Sequence, residues 1–395
     1  MSVFDQLVGQ SVAAAELSRA VSDAQVVLEG GAGPAMTHAW LFVGPPGSGR
    51  SIAAMAFAQS LQCSAGGCGI CQECRDVAAR THPDVMMVEP VGVHYAVEDV
   101  RELVAHASST PVRGRWRVIV LEDADRLESQ QMDWKPATVL LKAIEEPASR
   151  TVWVLCAPSL QDVIPTIRSR CRVVSLRTPS AREVSEVLVE RYGADPSMAA
   201  TAARVSQGHI GQARRFIRDE DARIRHQQVM NLPATLSDLN ACLAVAADFV
   251  DAADEQMKDT VKDREARERE GVRQVYGVGA KGIEARGAAK ALNDLEKSQK
   301  KRARRVRSDA VDLALLDLLA FYRDVLMVQW GAEVDLINAE FEPQLRAAAS
   351  GSSPEMTMRR IEEVLSTRAV LSGNAAPKMV LEALFATLRD PAAVR

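Results

Sequence analysis

No apolar run in these 395 residues approaches the roughly 20 that a membrane helix needs. The opening residues MSVFDQLVGQ also lack the basic-then-apolar layout of a secretory leader, so a soluble, cytoplasmic protein without a membrane partner is expected. Excess charge is missing too. A formal net charge of -4 excludes a protein that coats DNA through its overall field, so any nucleic-acid contact must be local. The seven cysteines do not suit a disulfide framework, because four crowd between Cys63 and Cys74 while Cys156, Cys171 and Cys242 are scattered. What is present is 47% hydrophobic content over a length that accommodates two or three cores.

Residues 39–49, AWLFVGPPGSG, run from an apolar strand into a Gly/Pro turn, and SIAAMAFAQSL continues with the spacing of a buried helix. Arg117 to Leu121 and Thr151 to Cys156 are short β-branched runs separated by the helical stretch ATVLLKAIEE. Strands alternating with helices predict an α/β domain with a parallel sheet over residues 1–179. After Pro179 the pattern turns helical in SAREVSEVLVERYG and ATAARVSQGHIGQARRFIRDE, which predicts a small helical domain over 180–230 with breaks at Gly193 and Gly208. An all-α domain is expected over 231–395. Residues 251–307 interrupt it as a charged segment, either mobile or formed of long solvated helices. From Arg273 to Arg307 it holds 11 Lys/Arg against 3 Asp/Glu, which suits either a solvated helix face or a nucleic-acid contact.

Gly44-Pro-Pro-Gly47-Ser-Gly49-Arg50-Ser51 follows a strand and opens a helix, matching the phosphate loop GxxxxGK[ST] except that Arg50 replaces lysine. The glycines let successive N–H groups point at phosphate oxygens, and the helix presents its positive end to the same anion. A guanidinium fork does not superimpose on the compact ammonium charge, so weakened nucleotide binding, or a loop kept only as a fold element, is expected. The strand VIVLEDADRL then ends in Glu122-Asp123, the reverse of the Asp-Glu order that organises Mg²⁺ and polarises water. Misplacing the base by about 1 Å costs on the order of 100-fold, so hydrolysis by this chain is not expected.

Cys63, Cys68, Cys71 and Cys74 supply four thiols, enough to close a tetrahedral structural zinc site; a redox pair would not need four, and an iron–sulfur cluster is the alternative the ligand count leaves open. Ser169-Arg170-Cys171 is expected to follow the last strand of the sheet and to place Arg170 on a loop or helix end at the domain rim, where it is either a surface ion pair or a residue that serves a neighbouring subunit's ATP.

Taken together, FDQLVGQ, GPPGSGRS, the four-cysteine insert, VIVLEDADRL, ATVLLKAIEEP and PTIRSRC resemble the AAA+ subunits of bacterial DNA polymerase III clamp loaders, and FYRDVLMVQWG with Asn338 resembles their helical collar. The resemblance implies a RecA-like sheet domain with a zinc insert at 63–74, a lid and a collar. Within that family, Arg50, Glu122-Asp123 and Gly211 in place of the sensor-two arginine are losses of nucleotide chemistry, while Ser169-Arg170-Cys171 is intact. That combination is similar to the delta-prime class, in which Arg170 would be an arginine finger acting in trans. The resemblance then implies a DNA polymerase III holoenzyme component that is not catalytic alone, with gamma/tau motors, delta, the sliding clamp and primer-template DNA as partners. The rival readings are an autonomous motor of the gamma/tau type and a non-catalytic DNA-binding adaptor acting through the basic segment.

Overall fold

The β-branched runs become the centre of a parallel sheet in the computed structural model, which describes residues 2–92, 94–127, 136–276, 286–371 and 375–390. The strands are Ala39–Val43 (β1), Val85–Val88 (β2), Arg117–Leu121 (β3), Thr151–Ala157 (β4) and Arg172–Ser175 (β5), in the order β2-β3-β4-β1-β5 with every pairing parallel. Every residue of β1, β3 and β4 is buried, as strands covered on both faces require. Alternate residues feed two cores. Trp40, Phe42, Val120 and Val154 meet Leu17 of helix Ser11–Leu28 (α1) and Phe57 of helix Arg50–Gln62 (α2). On the other face Leu41, Ile119 and Leu155 meet Leu103 of helix Val97–Ala107 (α4) and Leu140 of helix Pro136–Glu145 (α5); the short helix Gln72–Ala78 (α3) precedes β2.

A buried ion pair ties β3 to the loop before it. Asp84 and Arg117 are both almost fully enclosed and lie 3.2 Å apart. The Asp84 carboxylate accepts the N–H groups of Val112, Arg113 and Gly114 at 2.7, 2.8 and 2.6 Å, and Arg117 donates to the carbonyls of Ser109 and Thr110. Burial alone would raise the Asp84 carboxyl, but these N–H bonds and Arg117 outweigh it and hold the group below its ordinary range.

After helix Pro165–Arg168 (α6) and β5, helices Ala181–Tyr192 (α7), Pro196–Val205 (α8) and Ile210–Arg218 (α9) close a small separate core around Val184, Leu188, Ala202 and Ala213. Ser180 and Glu183 form a capping box at the start of α7, and Gly193 ends that helix in the left-handed region at φ 65°. These elements belong to one compact unit, Met1–Pro90 with His94–Arg218. No described helix is long and apolar enough to cross a membrane.

The second unit, Val91–Val93 with Asp219–Arg395, is helical throughout its described residues: Glu220–Thr235 (α10), Leu239–Tyr276 (α11), Arg286–Trp330 (α12), Glu342–Ser350 (α13), Pro354–Leu371 (α14) and Pro377–Arg389 (α15). Its core gathers Leu315, Phe321, Leu345, Val364 and Phe385. Asn338 is buried here, where its backbone and side-chain nitrogens donate to Asp324 at 2.7 and 3.1 Å. The described part of the charged segment consists of two long helices, α11 and α12; residues 277–285 lie outside the description. Their facing surfaces carry Arg302 on Glu268, Arg307 on Asp254 at 3.2 Å, and the buried Gln299 bonded to Arg269 and Glu265.

Removing one partner of the enclosed Asp84–Arg117 pair strands a charge. Asp84→Ala is expected to cost about 3–5 kcal/mol in urea denaturation at neutral pH. Because the folded carboxyl is depressed, the wild-type advantage is present above the unfolded value of about 3.9 and is lost as pH falls through the folded one, so the two proteins' midpoints converge in acid.

Candidate functional site

The turn between β1 and α2 is built by close backbone approach. A Cβ at Gly44 would lie 2.5 Å from the Leu176 carbonyl oxygen, and one at Gly47, where φ is 88°, would lie 2.6 Å from the Cα of His209. Gly49, also at φ 88°, precedes α2 and offers it no side-chain cap, which leaves the first helical N–H groups turned toward the loop. Gln10 braces the turn, donating to the carbonyls of Ser48 and Arg177 at 3.0 and 2.6 Å.

Several polar atoms around this loop are buried without a hydrogen-bond partner: Ser48 Oγ, Arg50 Nη1, Glu122 Oε1 and Asp125 Oδ1. Such atoms are costly unless a ligand or ion satisfies them. Glu122, at the end of β3, is mostly enclosed; burial raises its carboxyl and the Asp123 charge adds to this, against the opposing effects of a Ser51 hydrogen bond and Arg50. Asp123 sits in the left-handed region at φ 48°, with its carboxylate 3.6 Å from Arg126 Nε. Thus the first acidic position reaches the phosphate-loop serine, while the second is engaged with a neighbouring arginine.

His209 lies over the loop from the turn before α9. Burial holds its ring below the ordinary histidine range and the Arg50 charge pushes the same way, so the ring is neutral; Nδ1 accepts the Gln212 N–H at 3.3 Å, which puts the proton on Nε2. Gly211 follows, and a Cβ there would approach the His209 ring at 3.2 Å. Gly211 carries a sequence signal and His209 does not, because the position of His209 depends on a contact with Gly47 some 160 residues earlier in the chain.

The four cysteines converge. Cys63 ends α2, Cys71 caps α3, and the four sulfurs all lie within 4.8 Å of one another. The Cys63 sulfur is 3.7 Å from those of both Cys68 and Cys71, close to the edge of about 3.8 Å expected when bonds of about 2.3 Å radiate to the corners of a tetrahedron. Burial opposes ionisation of Cys63, but the N–H groups of Cys68, Gly67 and Ala65 prevail and bring its thiol down to about 6. Burial pushes the Cys74 thiol up. A thiophilic metal ion would replace the remaining protons, and this donor set fits one.

Arg170 stands elsewhere. It follows α6 and precedes β5, whose Arg172 pairs in register with Trp40 near the start of β1. The phosphate loop leaves the other end of β1, so four residues of strand, about 13 Å, separate the two levels. The guanidinium is 40% exposed, 2.5 Å from Glu145 Oε1, and donates to the Thr166 carbonyl at 2.8 Å and Ser169 Oγ at 3.2 Å. Cys171 is mostly enclosed against the sheet core, and burial raises its thiol to about 12, so it anchors the turn as an apolar group.

Residues 30–180 match the family model described as "DNA polymerase III, delta subunit". The chain is 35% identical over 168 residues to the delta-prime subunit of Pseudomonas aeruginosa DNA polymerase III, an alignment spanning 41% of this chain and 50% of that protein. It is 28% identical over 200 residues to the Bacillus subtilis delta-prime subunit (50% of this chain, 59% of that protein) and 32% identical over 190 residues to gamma/tau of Mycobacterium tuberculosis (47% and 30%). The chain thus spans between about a third and three-fifths of these relatives' lengths. The phosphate loop, the cysteine cluster and the Arg170 turn all lie inside the matched residues 30–180.

Proposed function

We propose that this chain is the delta-prime subunit of a DNA polymerase III clamp loader, in which it does not hydrolyse ATP and lends Arg170 to a neighbouring gamma/tau motor. The observation that carries this reading is the separation of the two halves of the chemistry. Arg170 is solvent-accessible at the opposite end of the sheet from the chain's own phosphate loop, so its charge is available to another subunit and not to a nucleotide on this one. A guanidinium at a neighbour's γ-phosphate neutralises charge that develops during hydrolysis. The chain's contribution is then to help hold the ring with delta while the motors' ATP lets the assembly open a sliding clamp and load it on primer-template DNA.

The chain's own loop supports the non-hydrolysing half of the reading. Its unpaired Ser48 hydroxyl and Arg50 nitrogen fit a phosphate anion, so weak nucleotide binding is compatible with the site. Cation-assisted hydrolysis is not supported, since Glu122 is held toward its neutral form and Asp123 is paired with Arg126. His209 adds no positive charge where a sensor arginine would. The cysteine cluster, on this reading, holds a structural Zn²⁺ with no open coordination position.

Three outcomes are expected. Protein purified without chelator should carry one zinc per chain by elemental analysis, and Cys71→Ala should lose it while circular dichroism keeps the sheet signal; iron, or no metal, would exclude the zinc reading. The isolated chain should show no turnover of ATP, and Arg50→Lys should not restore it, because Asp123 and the missing sensor charge remain. Phosphate release by the purified chain would instead favour the motor reading. In a reconstituted loader, Arg170→Ala should assemble normally by gel filtration, yet hydrolysis at the site it completes should fall on the order of 10³-fold. Arg170→Lys should behave like alanine, since an ammonium cannot place two parallel donors on phosphoryl oxygens. Normal clamp-stimulated hydrolysis by both variants would reject the role in trans.

A further inference from the structure

The charged hairpin of α11 and α12 is not used by the reading above. Over residues 251–276 α11 carries eight Asp/Glu and six Lys/Arg, whereas over 286–307 α12 carries nine Lys/Arg and two Asp/Glu. Part of that cationic excess has a structural purpose. Arg302 grips Glu268 with both terminal nitrogens, Arg307 meets Asp254, and Arg269 reaches back across to Gln299, so these side chains hold the two helices together.

The lysines are disposed differently. Lys290, Lys297, Lys300 and Lys301 are all exposed. At 100° per residue, positions 290, 297 and 301 fall within about 40° of one another around the helix, and 300 flanks them by about 60°. They form one stripe about 16 Å long at 1.5 Å per residue. Lys297 and Lys300 have only the exposed same-helix partners Asp294 at 3.7 Å and Glu296 at 2.8 Å, contacts of the kind worth less than about 1 kcal/mol and readily exchanged for another anion. Lys290 and Lys301 have no ion pair among the described residues. A row of exposed ammonium groups along one helix, in a chain whose net charge is -4, matches a regularly spaced polyanion and not a single anionic ligand.

We propose that this stripe on α12 is a sequence-independent contact for the phosphate backbone of duplex DNA. Duplex DNA presents one charge per about 1.7 Å of axis, so a 16 Å row of four lysines faces phosphates along its whole length. The contact adds affinity without base readout, and it is independent of Arg170 and of the phosphate loop.

The test uses the full chain and a fluorescently labelled primer-template duplex, with binding followed by anisotropy between 50 and 200 mM salt. The variant Lys290→Gln/Lys297→Gln/Lys300→Gln/Lys301→Gln is compared with a charge-matched control on the facing helix, Lys258→Gln/Lys262→Gln/Arg264→Gln/Arg267→Gln. All eight positions are exposed, and thermal melts verify that both variants fold. The stripe variant should lose about tenfold or more in affinity at low salt, and its slope of log K against log salt should shrink by about 3 to 4. The control should bind like wild type. Equal loss in both variants, or none in the stripe variant, overturns the proposal. Displacement of the duplex by polyglutamate as readily as by unlabelled duplex at matched charge also overturns it and assigns the stripe to an acidic polypeptide.

Discussion

The parallel pairing of β1 with β5 is the constraint on which the functional geometry rests. Parallel strands start at the same level and end at the same level, so the turn that leaves β1 and the turn that enters β5 are forced to opposite ends of the sheet. The phosphate loop occupies the first position and Ser169-Arg170-Cys171 the second. No rotamer of Arg170 can span that distance, because the sheet between them is filled on both faces by side chains that are wholly enclosed. A chain built this way has a glycine-rich loop at one end of its sheet and, at the other, a solvent-accessible guanidinium paired with Glu145.

Around the loop itself, packing and electrostatics pull in different directions. Gly44 and Gly47 admit the Leu176 carbonyl and His209 at distances no side chain would allow, so the turn retains its shape through contacts with its own domain. The acidic groups behind it are poorly placed to hold a cation: burial raises the carboxyls of Glu122 and Asp125, and Arg126 pairs with Asp123. A loop can keep its form after its chemistry has weakened, because different residues are responsible for each.

Much of this was legible in the chain. β1 was readable as an apolar run entering a Gly/Pro turn, β3 and β4 as buried runs rich in β-branched residues, and the cysteines because metal-ligand spacing is local. The edge strands β2 and β5 were not marked by the same signal: each has only four residues, several of them partly exposed, so neither alternation nor a sustained apolar run could develop. His209 and Glu145 were hidden for another reason. Each sits inside a segment whose helical pattern was recognised, but its importance comes from a residue far off in sequence, Gly47 in one case and Arg170 in the other. The charged segment left two outcomes open because its composition cannot bury an apolar core; what stabilises the described helices is a seam of Arg302, Glu268, Gln299 and Arg307, a polar pairing that periodicity of apolar residues does not reveal.

Helix α2 is fastened at both ends. Its first turn emerges from the phosphate loop and its last residue hands over to Cys63, thirteen residues and about 20 Å away. Most of the length between is buried, with Phe57 wedged edge-on against Trp40 at 5.0 Å. A rod clamped at its two tips and along its side has neither twist nor slide available to it. The cysteine cluster therefore acts as a mooring: it holds the axis of the helix whose opposite tip leaves the glycine-rich loop, so the orientation of that tip is set by two anchors, only one of which is part of the loop.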